Sequence, residues 1–120
     1  MPITETEALV QIAIRGIQEK KGKGIISLNL TGIKNAICDY FIICNANSRP
    51  QIEAIVNNVE KELRETAGVK PWFIEGRENA QWVLMDYIDV VIHIFTDDAR
   101  AYYDLENLWA DAGMKKYSSE

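Results

Sequence analysis

The sequence predicts a single mixed α/β domain: a five-stranded β-sheet packed with helices, in the order α-β-β-α-β-β-β-α. Three observations predict it. Two long segments repeat their apolar residues at helical spacing and open on capping residues. Short β-branched runs, bounded by glycine, asparagine and aspartate, lie between and after them. The stretch from Gln81 to Phe95 reads as two strands joined by a tight polar turn. The 120 residues are about one domain's length, and with 48% of them hydrophobic a core is available without disulfides. Residues 1–113 read as the domain and 114–120 as a flexible, patternless tail.

Thr4 followed by Glu7 is a capping-box pattern, which predicts a helix running to about Glu19. Its polar positions Glu7, Gln11, Arg15, Gln18 and Glu19 form one narrow stripe, so the helix lies flat on a sheet. Lys20 to Gly24 is a basic loop without the spacing of a phosphate-binding loop. Ile25 to Leu30 alternates like a half-buried strand, and Tyr40 to Cys44 is an apolar strand preceded by Asp39. Ser48 and Gln51 repeat the capping logic, with Pro50 tolerated in the first turn. The helix they open carries Ile52, Ile55, Val56, Val59 and Leu63 on one face and ends at Gly68. Pro71 to Glu75 is a short strand, and Gly76 to Ala80 is the turn after it. Trp82 to Asp86 and Val90 to Phe95 form the hairpin, around a turn of Tyr87, Ile88 and Asp89. Val91, His93 and Phe95 share one face of the last strand, and Val90, Ile92 and Ile94 share the other. Thr96 caps a final helix with an apolar edge of Leu105, Leu108 and Trp109.

Charge is distributed unevenly. Residues 1–74 balance to +1, residues 75–114 to −7, and the last six return +1, for a net −5. An acidic segment of this kind disfavours direct contact with nucleic-acid phosphates. It suits a basic protein partner, and it equally suits a solvated face that keeps the chain soluble. Cys38 and Cys44 lack any metal-ligand spacing and read as buried thiols in a reducing compartment, so neither a metal nor a cofactor is expected. No apolar run approaches the roughly 18 residues of a membrane span, and no secretory pattern opens the chain. The expectation is a cytoplasmic protein.

Two chemistries compete for the polar residues. Asp39, Asp86 and Asp89 could hold magnesium for nucleotidyl transfer, although aspartates beside a turn are common for local hydrogen bonding. His93 could act as a base, but no nucleophile accompanies it, and a lone strand histidine is more often packed or at an interface. A binding surface uses more of these residues. Trp82, Tyr87, His93, Tyr102, Tyr103 and Trp109 all fall in the acidic third, and aromatics serve as interface anchors. Trp109 fits the core, and Trp82 fits core and interface equally well.

Four ordered blocks carry a resemblance: Asp39-Tyr-Phe-Ile-Ile43, Glu75-Gly76, Trp82 through Phe95, and Arg100 through Trp109. In these the chain resembles the ribosomal silencing factor family, RsfS or Iojap, over nearly its whole length. The resemblance implies a nucleotidyltransferase-like fold without catalysis. It implies binding to the large ribosomal subunit through ribosomal protein fourteen, a basic protein, and a steric block to joining of the small subunit that represses translation. A part in large-subunit maturation is implied as well. The implied contact residues are Trp82, Asp86, Tyr87, Asp89 and His93, with Arg100 and Tyr103 nearby. Trp82 and Tyr87 would be the anchors, Asp86 and Asp89 would meet basic side chains, and His93 would hydrogen-bond there or support the hairpin from behind. Little direct nucleic-acid contact, no membrane and a possible homodimer complete the expected partners. Three departures from the family are Ile88 in place of a frequent glycine, Asn45-Ala-Asn-Ser48 in place of Thr-Gly-Thr-Ser, and Pro50. A magnesium-dependent nucleotidyltransferase-like enzyme and a homodimeric scaffold are the alternatives.

Overall fold

The computed structural model describes residues 4–119. Its elements are α1 (Glu5–Glu19), β1 (Lys23–Asn29), β2 (Tyr40–Ala46), α2 (Arg49–Ala67), β3 (Phe73–Glu75), β4 (Trp82–Asp86), β5 (Val90–Thr96), α3 (Asp97–Tyr103), α4 (Leu105–Leu108) and β6 (Gly113–Lys116). One sheet holds the strands in the order β3-β4-β5-β2-β1-β6. Only the central β2–β5 pair is parallel, with α2, β3 and β4 forming the connection between its strands. The mixed α/β class is as expected, but the sheet has six strands, not five.

The sixth strand lies in the stretch expected to be a tail. β6 pairs antiparallel with β1, from Asn29↔Gly113 to Ile26↔Lys116. All four of its residues are exposed, so no apolar alternation marks it in the sequence. Backbone pairing holds it, and three further bonds extend the attachment. The Tyr117 amide donates to Ile25 O at 2.9 Å, the Tyr117 and Ser27 hydroxyls lie 3.0 Å apart, and Gln18 Nε2 donates to Ser118 O at 2.8 Å. Lys115 and Lys116 at this edge discourage pairing with another chain. Glu120, the end of the expected tail, lies outside the described residues.

Capping chemistry sets the helix starts. In α1 the Glu7 amide donates to Thr4 Oγ1 at 3.0 Å and the Thr4 amide to Glu7 Oε1 at 3.2 Å, a complete capping box. In α2 only half of the pattern forms. Ser48 Oγ accepts from the Gln51 amide at 3.3 Å, while the Gln51 side chain turns away to the Lys20 and Lys21 carbonyls. That choice ties α2 to the loop before β1. Gly68, at φ 69°, ends α2 as a left-handed cap. Thr96 caps α3, accepting from the Ala99 amide at 3.2 Å.

The single helix expected after Thr96 is two short ones. Asp104 takes the left-handed conformation, φ 49° and ψ 46°, and breaks the run between α3 and α4. Aspartate visits that region more readily than most residues because its side chain can bond locally, here to Asn107.

The two sheet faces differ in cover. α1 and α2 close one face over Ile42, Cys44, Val83, Met85, Ile92 and Ile94. α3, α4 and the 30–39 loop cover the other face only over β1, β2 and β5, where Leu28, Phe41, Ile43, Val91 and Phe95 are buried. β5 is buried along six of its seven residues, as its β-branched sequence requires. Each fully buried isoleucine contributes about 1.5–3 kcal/mol, so this strand anchors both layers. Among the described residues no helix is long and apolar enough to cross a membrane.

Candidate partner-docking site

β4 alternates half-buried and buried: Val83 and Met85 point to the helices, and Trp82, Leu84 and Asp86 to the opposite face. Register extends that face on both sides. Trp82 lies opposite Phe95, Leu84 opposite His93 and Asp86 opposite Val91, while Phe73 and Glu75 of β3 lie opposite Asp86 and Leu84. Cover fades from β5, which is buried, through β4 to β3, where Phe73 is 37% exposed. The result is an uncovered strip of aromatic, aliphatic and acidic side chains at one side of the sheet.

α3 brings Tyr103 to the strip, its ring 4.7 Å from that of Trp82 and 47% exposed. The Trp82 ring packs on Phe95 at 5.0 Å, and its Nε1–H donates to His93 Nδ1 at 3.1 Å. Beyond Tyr103 a cleft of about 560 Å³ is lined by Asn47, Gln81, Asp97, Asp98 and Tyr102. Trp82, Asp86 and Tyr103 are therefore brought to one face.

Of the other four expected site residues, Tyr87, His93 and Arg100 turn inward and Asp89 stays exposed. Tyr87 is turned to the helix side and buried in the core with α2, so it offers no anchor; burial pushes its phenol pKa up. The exposed apolar residue of the turn is instead Ile88, held at φ 74° by a bond from its amide to Asp86 Oδ1 at 2.7 Å. His93 is buried behind Trp82, against Phe41 at 4.7 Å, and burial pushes its pKa down to about 4. Arg100 spends its guanidinium inside the molecule. Its Nη2 meets Glu106 Oε2 at 3.0 Å, Nη1 meets Asn45 Oδ1 at 2.7 Å, and Nη1 also donates to Gly24 O. Gly24 takes a left-handed φ of 57°, which favours glycine, and a Cβ there would crowd the Arg100 guanidinium and the Asn45 side-chain oxygen. Asp89 keeps an exposed side chain, while its carbonyl accepts from the Asp39 and Tyr40 amides at 2.9 and 3.1 Å and fixes the turn to β2.

The carboxylates do not make a metal centre. Among the described residues no three His, Cys, Asp or Glu side chains converge on a metal-sized site, and one oxygen of Asp86 already accepts from the Ile88 amide. Cys38 and Cys44 are free and buried, and burial raises their pKa to about 11 and about 12, so neither is a reactive thiolate. Sequence reasoning missed Leu84, Phe73 and Glu75. Leu84 was within reach, since period two from Trp82 places it beside Asp86. The two β3 residues needed the strand register.

The fold and the strip define a class: a small α/β sheet protein with one face closed by helices and the other half-open over β3 and β4. A family model described as "Ribosomal silencing factor during starvation" matches residues 3–120. A Halalkalibacterium halodurans protein named ribosomal silencing factor RsfS is 43% identical over 106 residues, 88% of this chain and 89% of that one. The Bacillus subtilis protein of the same name is 39% identical over 108 residues, 90% of each chain. A crystal structure of a Chromobacterium violaceum protein superposes with a TM-score of 0.84 at 36% identity, covering 89% of this chain and 88% of that one. This chain belongs to the ribosomal silencing factor family. The matched relatives carry the name of a silencing factor, not of an enzyme.

Proposed function

We propose that this protein binds the large ribosomal subunit through ribosomal protein fourteen and blocks joining of the small subunit, repressing translation in the cytoplasm. The observation that carries the reading is the uncovered strip on β3 and β4, where Trp82, Leu84, Phe73 and Tyr103 offer apolar area beside Asp86 and Glu75. Aromatic anchors ringed by acids match a basic protein surface. The mechanism is steric: affinity for the subunit, and bulk in the path of its partner. No substrate is turned over. Large-subunit maturation would use the same contact.

Co-sedimentation with isolated large subunits, small subunits and joined ribosomes tests it. Binding to large subunits alone, with joined ribosomes lost as protein is added, is the expected outcome; binding to none of them sinks the proposal. Trp82→Ala should weaken binding by about 2 kcal/mol or more, roughly 30-fold, with the circular dichroism spectrum unchanged. Wild-type affinity in that variant would remove Trp82 from the interface. Binding should also fall as salt rises, because the segment 75–114 carries a balance of −7. Exposed Trp72 and Phe73 at the β3 edge favour a second occupant of the strip, another copy of this chain. A dimer that competes with large subunits in analytical ultracentrifugation would support it.

A further inference from the structure

Trp82 brings the strip both apolar area and one hydrogen-bond donor. The donor is turned inward, to His93 Nδ1 at 3.1 Å. An indole nitrogen only donates, so Nδ1 is the unprotonated nitrogen, and the proton of the neutral imidazole sits on Nε2. That nitrogen is buried and has no hydrogen-bond partner among the described residues. An unpaired buried donor is costly. The surroundings of His93 are aromatic: Phe41 at 4.7 Å, Trp82 at 5.9 Å and Phe95 at 6.3 Å. A phenylalanine would suit them without the unpaired Nε2–H. What histidine supplies, and phenylalanine cannot, is an acceptor for Trp82.

We propose that His93 is a positioning residue for docking: its Nδ1 takes the Trp82 indole N–H and fixes the ring's rotamer, so that the strip presents a carbon surface to the partner. The inference rests on the reading of Trp82 as the docking anchor. Phe95 at 5.0 Å and Tyr103 at 4.7 Å flank the same ring, and the His93 bond sets its remaining freedom, rotation about the side-chain torsions. A partner carbonyl gains nothing from an indole whose donor is already used. An arginine or lysine gains more, because its cation can lie over the ring face, and the carboxylates of Glu75, paired with Leu84, and of Asp86, four residues along β4 and about 13 Å away at strand spacing, draw it to the strip. The strip is thereby tuned to basic side chains and against polar backbone.

Two measurements on the free protein and one on binding test this. In long-range ¹H–¹⁵N spectra of the wild type, His93 should show the Nε2–H tautomer with Nδ1 as acceptor; a protonated Nδ1 would overturn the proposal without any variant. His93→Phe should keep the fold by circular dichroism, expose the Trp82 indole N–H to faster solvent exchange, and bind large subunits roughly tenfold more weakly, the worth of one hydrogen bond. His93→Asn, which returns an oxygen near the place of Nδ1, should restore both the slow exchange and the affinity. Unchanged exchange in folded His93→Phe, or wild-type binding by it, refutes the positioning role. Should His93→Phe fail to fold, the wild-type tautomer and His93→Asn decide the matter. Trp82→Ala separates the two levels: if it binds normally the docking reading fails, and if it binds weakly while His93→Phe binds normally only this inference fails.

Discussion

Ile88 sits at the tip of the β4–β5 hairpin with φ 74°, a left-handed conformation that β-branched residues resist. An L-residue there loses about 1–2 kcal/mol relative to the right-handed region. The bond from its amide to Asp86 Oδ1 holds the turn, and it does not depend on the side chain at 88. The residue is 62% exposed, so removing its side chain gives up only about a third of an isoleucine's burial, roughly 0.5–1 kcal/mol. Comparing Ile88→Ala with Ile88→Gly cancels this loss and isolates the backbone. Glycine relieves the left-handed penalty but costs about 0.4–1 kcal/mol in unfolded-state entropy. The difference leaves the glycine variant more stable than the alanine variant by about 0.5–1 kcal/mol, or roughly 2–5 °C in Tm. In most strands and helices the order is the reverse. Thermal melts of the two variants decide it, and an alanine variant as stable as the glycine variant would refute the strain argument. Measured against large subunits, the same pair separates contact from geometry. Equal losses in both report a lost isoleucine contact, and recovery in glycine alone reports the shape of the tip.

Three further outcomes are expected. Burial holds the His93 pKa down to about 4 from 6.5, so the unfolded chain binds the proton more readily. The neutral ring's contribution is therefore complete above pH 6.5 and is lost as pH falls toward 4, a change on the order of 3 kcal/mol. Denaturant melts across that window should slope less steeply in His93→Phe than in the wild type; equal slopes would contradict the assignment. Arg100→Ala should lose about 2–3 kcal/mol of stability, since its bonds to Glu106, Asn45 and Gly24 join α3, α4, β1 and β2. A variant of wild-type Tm that fails to bind ribosomes would instead make Arg100 a partner contact. Gly76→Ala should destabilise by more than about 2 kcal/mol, because φ is 90° and a Cβ would lie 2.0 Å from the Trp82 carbonyl; a wild-type Tm would show that the turn relaxes freely.

The parts of the fold that could be read from the sequence are those where burial imposes a period. β5 announces itself because both of its faces are covered, and α1 and α2 because one face of each is. Capping residues placed the helix starts, since Thr4, Ser48 and Thr96 each satisfy a backbone donor. β6 was illegible for the complementary reason. Its residues are all exposed, and its pairing is written in the backbone, which every residue shares. The break at Asp104 was hidden too, because no glycine or proline stands between Thr96 and Trp109 to mark a stop.

The candidate site follows the same logic one level up. A docking strip has to stay uncovered, so its residues lack the burial that creates a readable pattern. Trp82 and Asp86 were legible only because their alternate neighbours, Val83 and Met85, are buried. Tyr87 continued the aromatic impression into a turn, where period two ends and the chain is free to send its ring inward. His93 was conspicuous as the one polar residue in an apolar strand, yet its role is set by register across the hairpin, which places it beside Leu84 and within reach of the Trp82 indole. Arg100 was expected beside the contact residues, and its inward role is invisible in the sequence. Its partners Gly24 and Asn45 lie 76 and 55 residues away in sequence, and only the closed sheet brings them together. The fold thus draws Arg100 into a part-buried ion pair with Glu106, which withdraws one charge of each sign and leaves the acidic balance of the segment intact, with the carboxylates of Asp86 and Glu75 on the open side of the sheet.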